Sequence, residues 1–150
     1  MDTRSLSKIC GIISVNLGFL IGLCSCSDTP PNENKEEIPL VSSAEFKDGG
    51  AYGSVLSITE EYGNINTEFI ESDLKMLGIE PDSSFLLKYK MNVFEVHLGE
   101  NYDDVGEGDW IAIWRDGRLR IARNLDNAAM KLGCKEGDIL FVGAKIGNEE

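Results

Sequence analysis

Beyond Arg4, every arginine of this chain falls within nine residues, at Arg115, Arg118, Arg120 and Arg123. Guanidinium groups grip carboxylates and phosphates through paired hydrogen bonds and stack on planar rings. Clustered on an acidic chain, the four are candidates for contact with an anion or a partner. Strand periodicity puts Arg118 and Arg120 on one face and Leu119, Ile121 and Arg123 on the other. They form one patch only if their hairpin twists strongly. The other open reading is cross-strand ion pairing with nearby acids, each pair contributing little.

A second concentration is acidic. Glu100, Asp103, Asp104, Glu107 and Asp109 crowd one loop and offer oxygens of the kind Ca²⁺ takes. Their spacing does not match the D-x-[DN]-x-[DN]-G-x₅-E loop, so a solvated loop is expected and no metal site. His97 is the single histidine, which excludes any mechanism or metal centre needing two. It has no nucleophile at a readable spacing and is expected on the surface. Cys134, at the end of a short helical segment, reads as a small residue packed inside, with nothing to activate its thiolate. No catalytic constellation and no cofactor site emerges.

These residues must be positioned by a chain of 150, with Lys+Arg 14 against Asp+Glu 26 and a net charge of −12. That is room for one domain of ordinary size, and 42% hydrophobic content is enough to pack it. The acidic balance repels phosphate backbones, so no nucleic-acid partner is expected. Residues 53–58 read as a first strand, and Ser72 to Gly78 as a short helix with Ser72 as N-cap and Gly78 as left-handed stop. Phe85, Leu87 and Tyr89 alternate on one strand, and Phe94, Val96 and Leu98 on the next, with Met91-Asn92 as the hairpin between them. Trp110 to Trp114 is apolar on both faces and reads as a central strand. Asp116-Gly117 is a two-residue hairpin signal leading into the return strand Leu119 to Arg123. Asp126 to Gly133 follows as a second helix and Ile139 to Val142 as a closing strand. The expected fold class is mainly β: a small antiparallel β-barrel or closed sheet with two short helices.

The N-terminus reads as an address. Arg4 and Lys8 against Asp2 leave residues 1–25 at +1 and the remainder at −13. An apolar run from Ile9 to Leu23 follows, short for a span of about 30 Å of hydrocarbon. Its end, Leu23-Cys24-Ser25-Cys26, resembles the lipobox of bacterial lipoproteins, with Leu23 at −3, Ser25 small and Cys26 as the lipid acceptor. The expectation is a signal peptide over 1–25, an acidic Pro/Asn/Ser-rich tether over 26–49 and a β domain over 50–150. Location is then the bacterial cell envelope, outside the cytoplasm, with the membrane reached through lipid on Cys26. Cys134 is left as a lone thiol in the domain, with no disulfide.

Three motifs stand in order between Gly53 and Val142. They are Glu60-Glu61-Tyr62-Gly63-Asn64; Tyr102-Asp103-Asp104-Val105-Gly106-Glu107-Gly108; and Asp116 to Asn124, followed by Asn127-Ala128-Ala129, Leu132-Gly133 and Gly137-Asp138. They resemble the D-x-F-G-N turn, the Y-x-D-V-x-x-G-E connection and the closing G-x-L-x-I-A…N-A-A-x-x-L-G…G-D block of one domain. That domain is the C-terminal one of the S-adenosylmethionine hydroxide adenosyltransferases, the superfamily of the chlorinases and fluorinases. The resemblance implies a homotrimer in which this domain completes a neighbour's ligand site. Asn64, Arg123 and Asn124 would then lie near the adenosine or methionine part. Arg115-Asp116 stands where halogenating members carry Ser-Arg, and an acid there repels a methionine carboxylate.

What precedes Gly53 reads as signal and tether, so the family's catalytic N-terminal domain is not expected and hydrolysis by this chain alone is not either. A rival resemblance, of Asn127 to Leu140, is to the A-A…G-L-x-x-G-D-x-I-L stretch of PDZ domains, which bind peptide C-termini by strand addition. The expected function is a non-catalytic, lipid-anchored module for a nucleoside-like or small anionic ligand. The alternatives are an envelope protein–protein contact, or half of an enzyme whose catalytic chain is separate.

Overall fold

The computed structural model describes residues 39–145. The segment read as a signal peptide, Cys26, read as the lipid acceptor, and residues 26–38 of the stretch read as tether lie outside the described residues. Eight strands are present: β1 (Glu45–Lys47), β2 (Gly50–Ile58), β3 (Ile65–Ile70), β4 (Ser84–Tyr89), β5 (Asn92–Leu98), β6 (Trp110–Arg115), β7 (Arg118–Arg123) and β8 (Ile139–Ala144). Helix α1 (Glu71–Met76) follows β3, and α2 (Ala128–Leu132) precedes β8. The pairing order β2-β3-β7-β6-β5-β4-β8 returns to β2, closing seven strands into a barrel. β1 adds to the first half of β2, with Glu45 opposite Tyr52. It lies in the stretch read as tether. Asp48 and Gly49, both left-handed at φ +56° and +75°, fold it back, a turn chemistry well suited to hairpins.

The expectation of a wholly antiparallel barrel is corrected at one place. β5 and β6 run parallel, pairing His97 with Ile111 and Leu98 with Ala112. Parallel neighbours cannot be joined by a tight turn, and the acidic loop 99–109 is the crossover that joins them. The Asp104 carboxylate accepts the Glu100 and Asn101 N–H groups at 2.8 and 2.9 Å, fixing the start of that crossover. The same loop explains why β6 is apolar on both faces. Ala112 points into the barrel, while Ile111 and Ile113 pack outside under Tyr102 and Val105.

The barrel interior is filled by Phe69, Phe85, Leu87, Leu119, Ile121 and Leu140, all buried. On β3 Thr67 also points inward, and its hydroxyl donates to the Leu119 carbonyl at 2.8 Å. β3 starts beside the end of β7 and finishes beside its start, so α1 and α2 lie at opposite mouths. Leu74 of α1 plugs one, and Ala128, Ala129 and Leu132 of α2 plug the other. Gly78 ends the α1 segment at φ +71° as expected. Ser72 is not the N-cap: the helix begins after Ile70, whose N–H is taken by the Asp73 carboxylate at 2.9 Å. Asn127 caps α2 by accepting the Met130 N–H at 2.7 Å, so the helix begins at Ala128, two residues later than the sequence reading has it.

At the α2 mouth the Asp138 carboxylate accepts the Tyr89 hydroxyl at 2.6 Å and the Lys135 N–H at 2.9 Å. These bonds, the tyrosine's first, hold its carboxyl below the ordinary 3.8. A carboxyl depressed by folding stabilises above its unfolded value and loses that contribution as pH falls through its folded one. The melting temperature should therefore fall as pH drops below 3.8, and Asp138→Asn should flatten part of that fall. Identical pH profiles for the two proteins would remove Asp138 from the account.

Candidate functional site

Three segments converge outside the α2 mouth. They are the turn from β2 to β3, the crossover at Tyr102, and the β7–α2 connection. Between them lies a cavity of about 570 Å³. The turn is built on glycine. Gly63 sits at φ +62°, donates its N–H to the Thr59 carbonyl at 2.8 Å and accepts the Ala129 N–H at 2.9 Å. It thereby ties the turn to the first residues of α2. Asn64 follows, almost fully buried, and its side-chain amide donates to the Tyr102 hydroxyl at 3.3 Å. Its own carbonyl is held by the Thr59 N–H at 2.9 Å.

The second wall begins at Arg123, the last residue of β7. Its guanidinium donates from Nη2 to the Gly108 carbonyl and from Nη1 to the Asp126 carboxylate. The same group lies over the Trp110 ring, 5.4 Å from its centroid, a cation–π stacking that arginine favours. Its Nε is buried and has no partner. Asn124 stitches the crossover to this wall: its N–H donates to the Asp109 carbonyl at 3.1 Å and its carbonyl accepts the Gly108 N–H at 2.7 Å. Its side-chain amide donates to the Val105 carbonyl at 2.9 Å. Leu125 then takes a left-handed φ of +55° and stands 81% exposed at the mouth. Tyr62, also exposed, faces the same cavity. Glu61 beside its hydroxyl holds that phenol above its ordinary value.

The structure thus brings Asn64, Arg123 and Asn124 together in one cavity. It does not bring the other arginines there. Arg118 donates to the Glu68 carbonyl at 2.8 Å and Arg120 to the Asn66 side-chain oxygen at 2.7 Å, both on the outer face of β3 and β7. Arg115 is exposed at the hairpin on the α1 side. The four form no single patch, and the cross-strand partners of Arg118 and Arg120 are neutral oxygens rather than acids. His97 Nε2 lies 3.4 Å from an Asp82 carboxylate oxygen on the outside of β5. Cys134 is partly buried, and that burial pushes its thiol up. Among the described residues, no group of three His, Cys, Asp or Glu is placed to hold a metal ion.

Tyr102, Leu125, Asp126 and Asn127 complete the cavity, and the residue pattern marks none of them, nor Glu61 and Tyr62, as site residues. Tyr102 stands 38 residues from Asn64 and meets it only through the parallel crossover. Asp126 lies only three residues after Arg123, and the left-handed turn at Leu125 brings the two together. Two tyrosine rings, three asparagine amides and one ion pair can receive a planar heterocycle and bond its edges.

No protein-family model matches the chain, and neither does any curated protein. Among solved structures it is similar to an uncharacterized conserved protein from Thermotoga maritima. The TM-score is 0.62 at 23% identity, over 71% of this chain and 41% of that one. A conserved hypothetical protein from Thermus thermophilus aligns at TM-score 0.47 and 23% identity, over 62% of this chain and 35% of that one. The chain spans less than half the length of either. The Thermotoga likeness shows the fold: a mainly β barrel that also occurs inside a longer polypeptide.

Proposed function

We propose that the barrel is a non-catalytic binding module for a nucleoside-like ligand, held in the bacterial cell envelope by lipid on Cys26. The observation that carries this reading is the meeting of Asn64, Arg123 and Asn124 in one cavity flanked by Tyr62 and Tyr102. Those three are the positions that the resemblance to the adenosyltransferase C-terminal domain marks for a ligand. The same resemblance is the reason to propose a homotrimer, in which a neighbouring subunit would cover the cavity. Leu40 lies against Gly117 at the opposite, α1 side of the barrel, so the leading residues of the described chain leave the mouth open. A second reading, contact with an envelope protein, draws on the exposed apolar side chains of Leu125 and Met130 beside that mouth.

The test is a thermal-shift titration of the full-length chain in mild detergent, with adenosine, methionine and S-adenosylmethionine as probes. A ligand at a hundred times its Kd stabilises by about 2.7 kcal/mol, which raises the melting temperature of so small a domain by roughly 10 °C. Asn64→Ala should cancel the shift. No shift from any probe would overturn ligand binding and leave the protein-contact reading.

A further inference from the structure

Resting on that reading, we infer that the cavity is built for an uncharged ligand and excludes phosphorylated ones, with Asp126 as the residue that enforces the choice. Among the described residues, Arg123 is the sole cation lining the cavity, against two carboxylates, Glu61 and Asp126. An arginine in a ligand cavity ordinarily invites a phosphate, because its paired donors match phosphate oxygens. Both terminal nitrogens of this arginine are already engaged, and the Nε left without a partner is buried. One end of its guanidinium donates to Asp126, the other to the Gly108 carbonyl, and its plane lies over Trp110. Asp126 is itself locked, because its second carboxylate oxygen accepts the Asn127 N–H at 2.7 Å.

A phosphate could reach Arg123 only by displacing that carboxylate, which would then stand unpaired beside it. Glu61 carries no compensating cation in the cavity and repels the same charge. Asn64, Asn124 and Asn127, by contrast, are neutral groups at the wall. They suit the edges of a base or the hydroxyls of a sugar without changing the charge count.

The experiment compares adenosine with 5′-AMP, which share base and ribose and differ only in the phosphate. Isothermal titration at low ionic strength should show 5′-AMP binding the full-length chain about tenfold more weakly or worse, with the gap narrowing as salt is raised. Asp126→Asn should free the guanidinium and strengthen 5′-AMP binding by about tenfold while changing adenosine affinity far less. Because that variant touches a turn, Glu61→Gln provides a second arm. Glu61 is exposed at the cavity edge, and its neutralisation should narrow the same gap without disturbing the fold. Equal or tighter binding of 5′-AMP by the unaltered chain overturns this inference and leaves the nucleoside reading standing. Binding of neither compound overturns both.

Discussion

Phe69→Ala should cost the barrel about 3–5 kcal/mol, a large part of the roughly 5–15 kcal/mol that holds a domain folded. The ring is fully buried on the inner face of β3. It is also the reason β2 carries a glycine in mid-strand. A Cβ on Gly53 would stand 2.6 Å from Phe69 Cζ and 2.8 Å from Cε1, closer than carbon atoms tolerate. Gly53→Ala alone should therefore overpack the core at about 1–3 kcal/mol. With Phe69→Ala already made, the same methyl enters the vacated space and its effect changes sign. Urea unfolding of the four proteins measures this directly. A coupling energy within about 0.5 kcal/mol of zero would mean that the two positions do not share that volume.

Gly63→Ala should cost about 2–3 kcal/mol, from a left-handed backbone and the loss of a helix cap together. The backbone contribution follows from φ +62°. The cap is lost because the new Cβ would overlap Asn127 Oδ1, the oxygen that accepts the Met130 N–H at the start of α2. The turn and the helix are also joined through the Ala129 N–H, so neither can give way alone. Asn64 is the next residue, and adenosine affinity should fall along with stability. Adding Asn127→Gly removes the obstruction and should return the part of the loss that came from overlap, leaving the backbone strain. A melting temperature for Gly63→Ala within about 1 °C of the starting protein would contradict this geometry.

The parts of the fold that could be read from the sequence are those settled by near neighbours. Asp116-Gly117 turns with both residues left-handed, at φ +51° and +74°, which residue type alone implies. Gly78 and Gly133 stop their segments for the same reason, and the alternation of Phe85, Leu87 and Tyr89 marks the inner face of β4. β3 is not legible in the sequence because Thr67 breaks the apolar alternation at an inward position. Its hydroxyl is satisfied by a carbonyl 52 residues away, and no local pattern shows that. The parallel β5–β6 pair was hidden likewise, since an acidic loop looks the same whether it reverses the chain or carries it across. In the cavity, Asn64 and Asn124 are marked by motif resemblance alone, whereas Arg123 also stands out in the arginine cluster. Asp126 is not legible as a site residue because its pairing with Arg123 depends on the left-handed turn at Leu125, a conformation that leucine does not announce.

β8 lies between β2 and β4 and joins them, pairing Gly50 with Gly143 and Leu87 with Val142. In kinetic terms, it is the last strand in chain order and yet its partners come early. The loops it must close are long, and their entropy is lost before the pairing returns anything. A nascent chain that stops short of Ile139 is not a smaller barrel. It is an open sheet whose β2 and β4 edges both present unpaired backbone, the geometry that recruits stray strands into aggregates. The closing step of folding, and the vulnerability before it, thus belong to six residues, Ile139–Ala144.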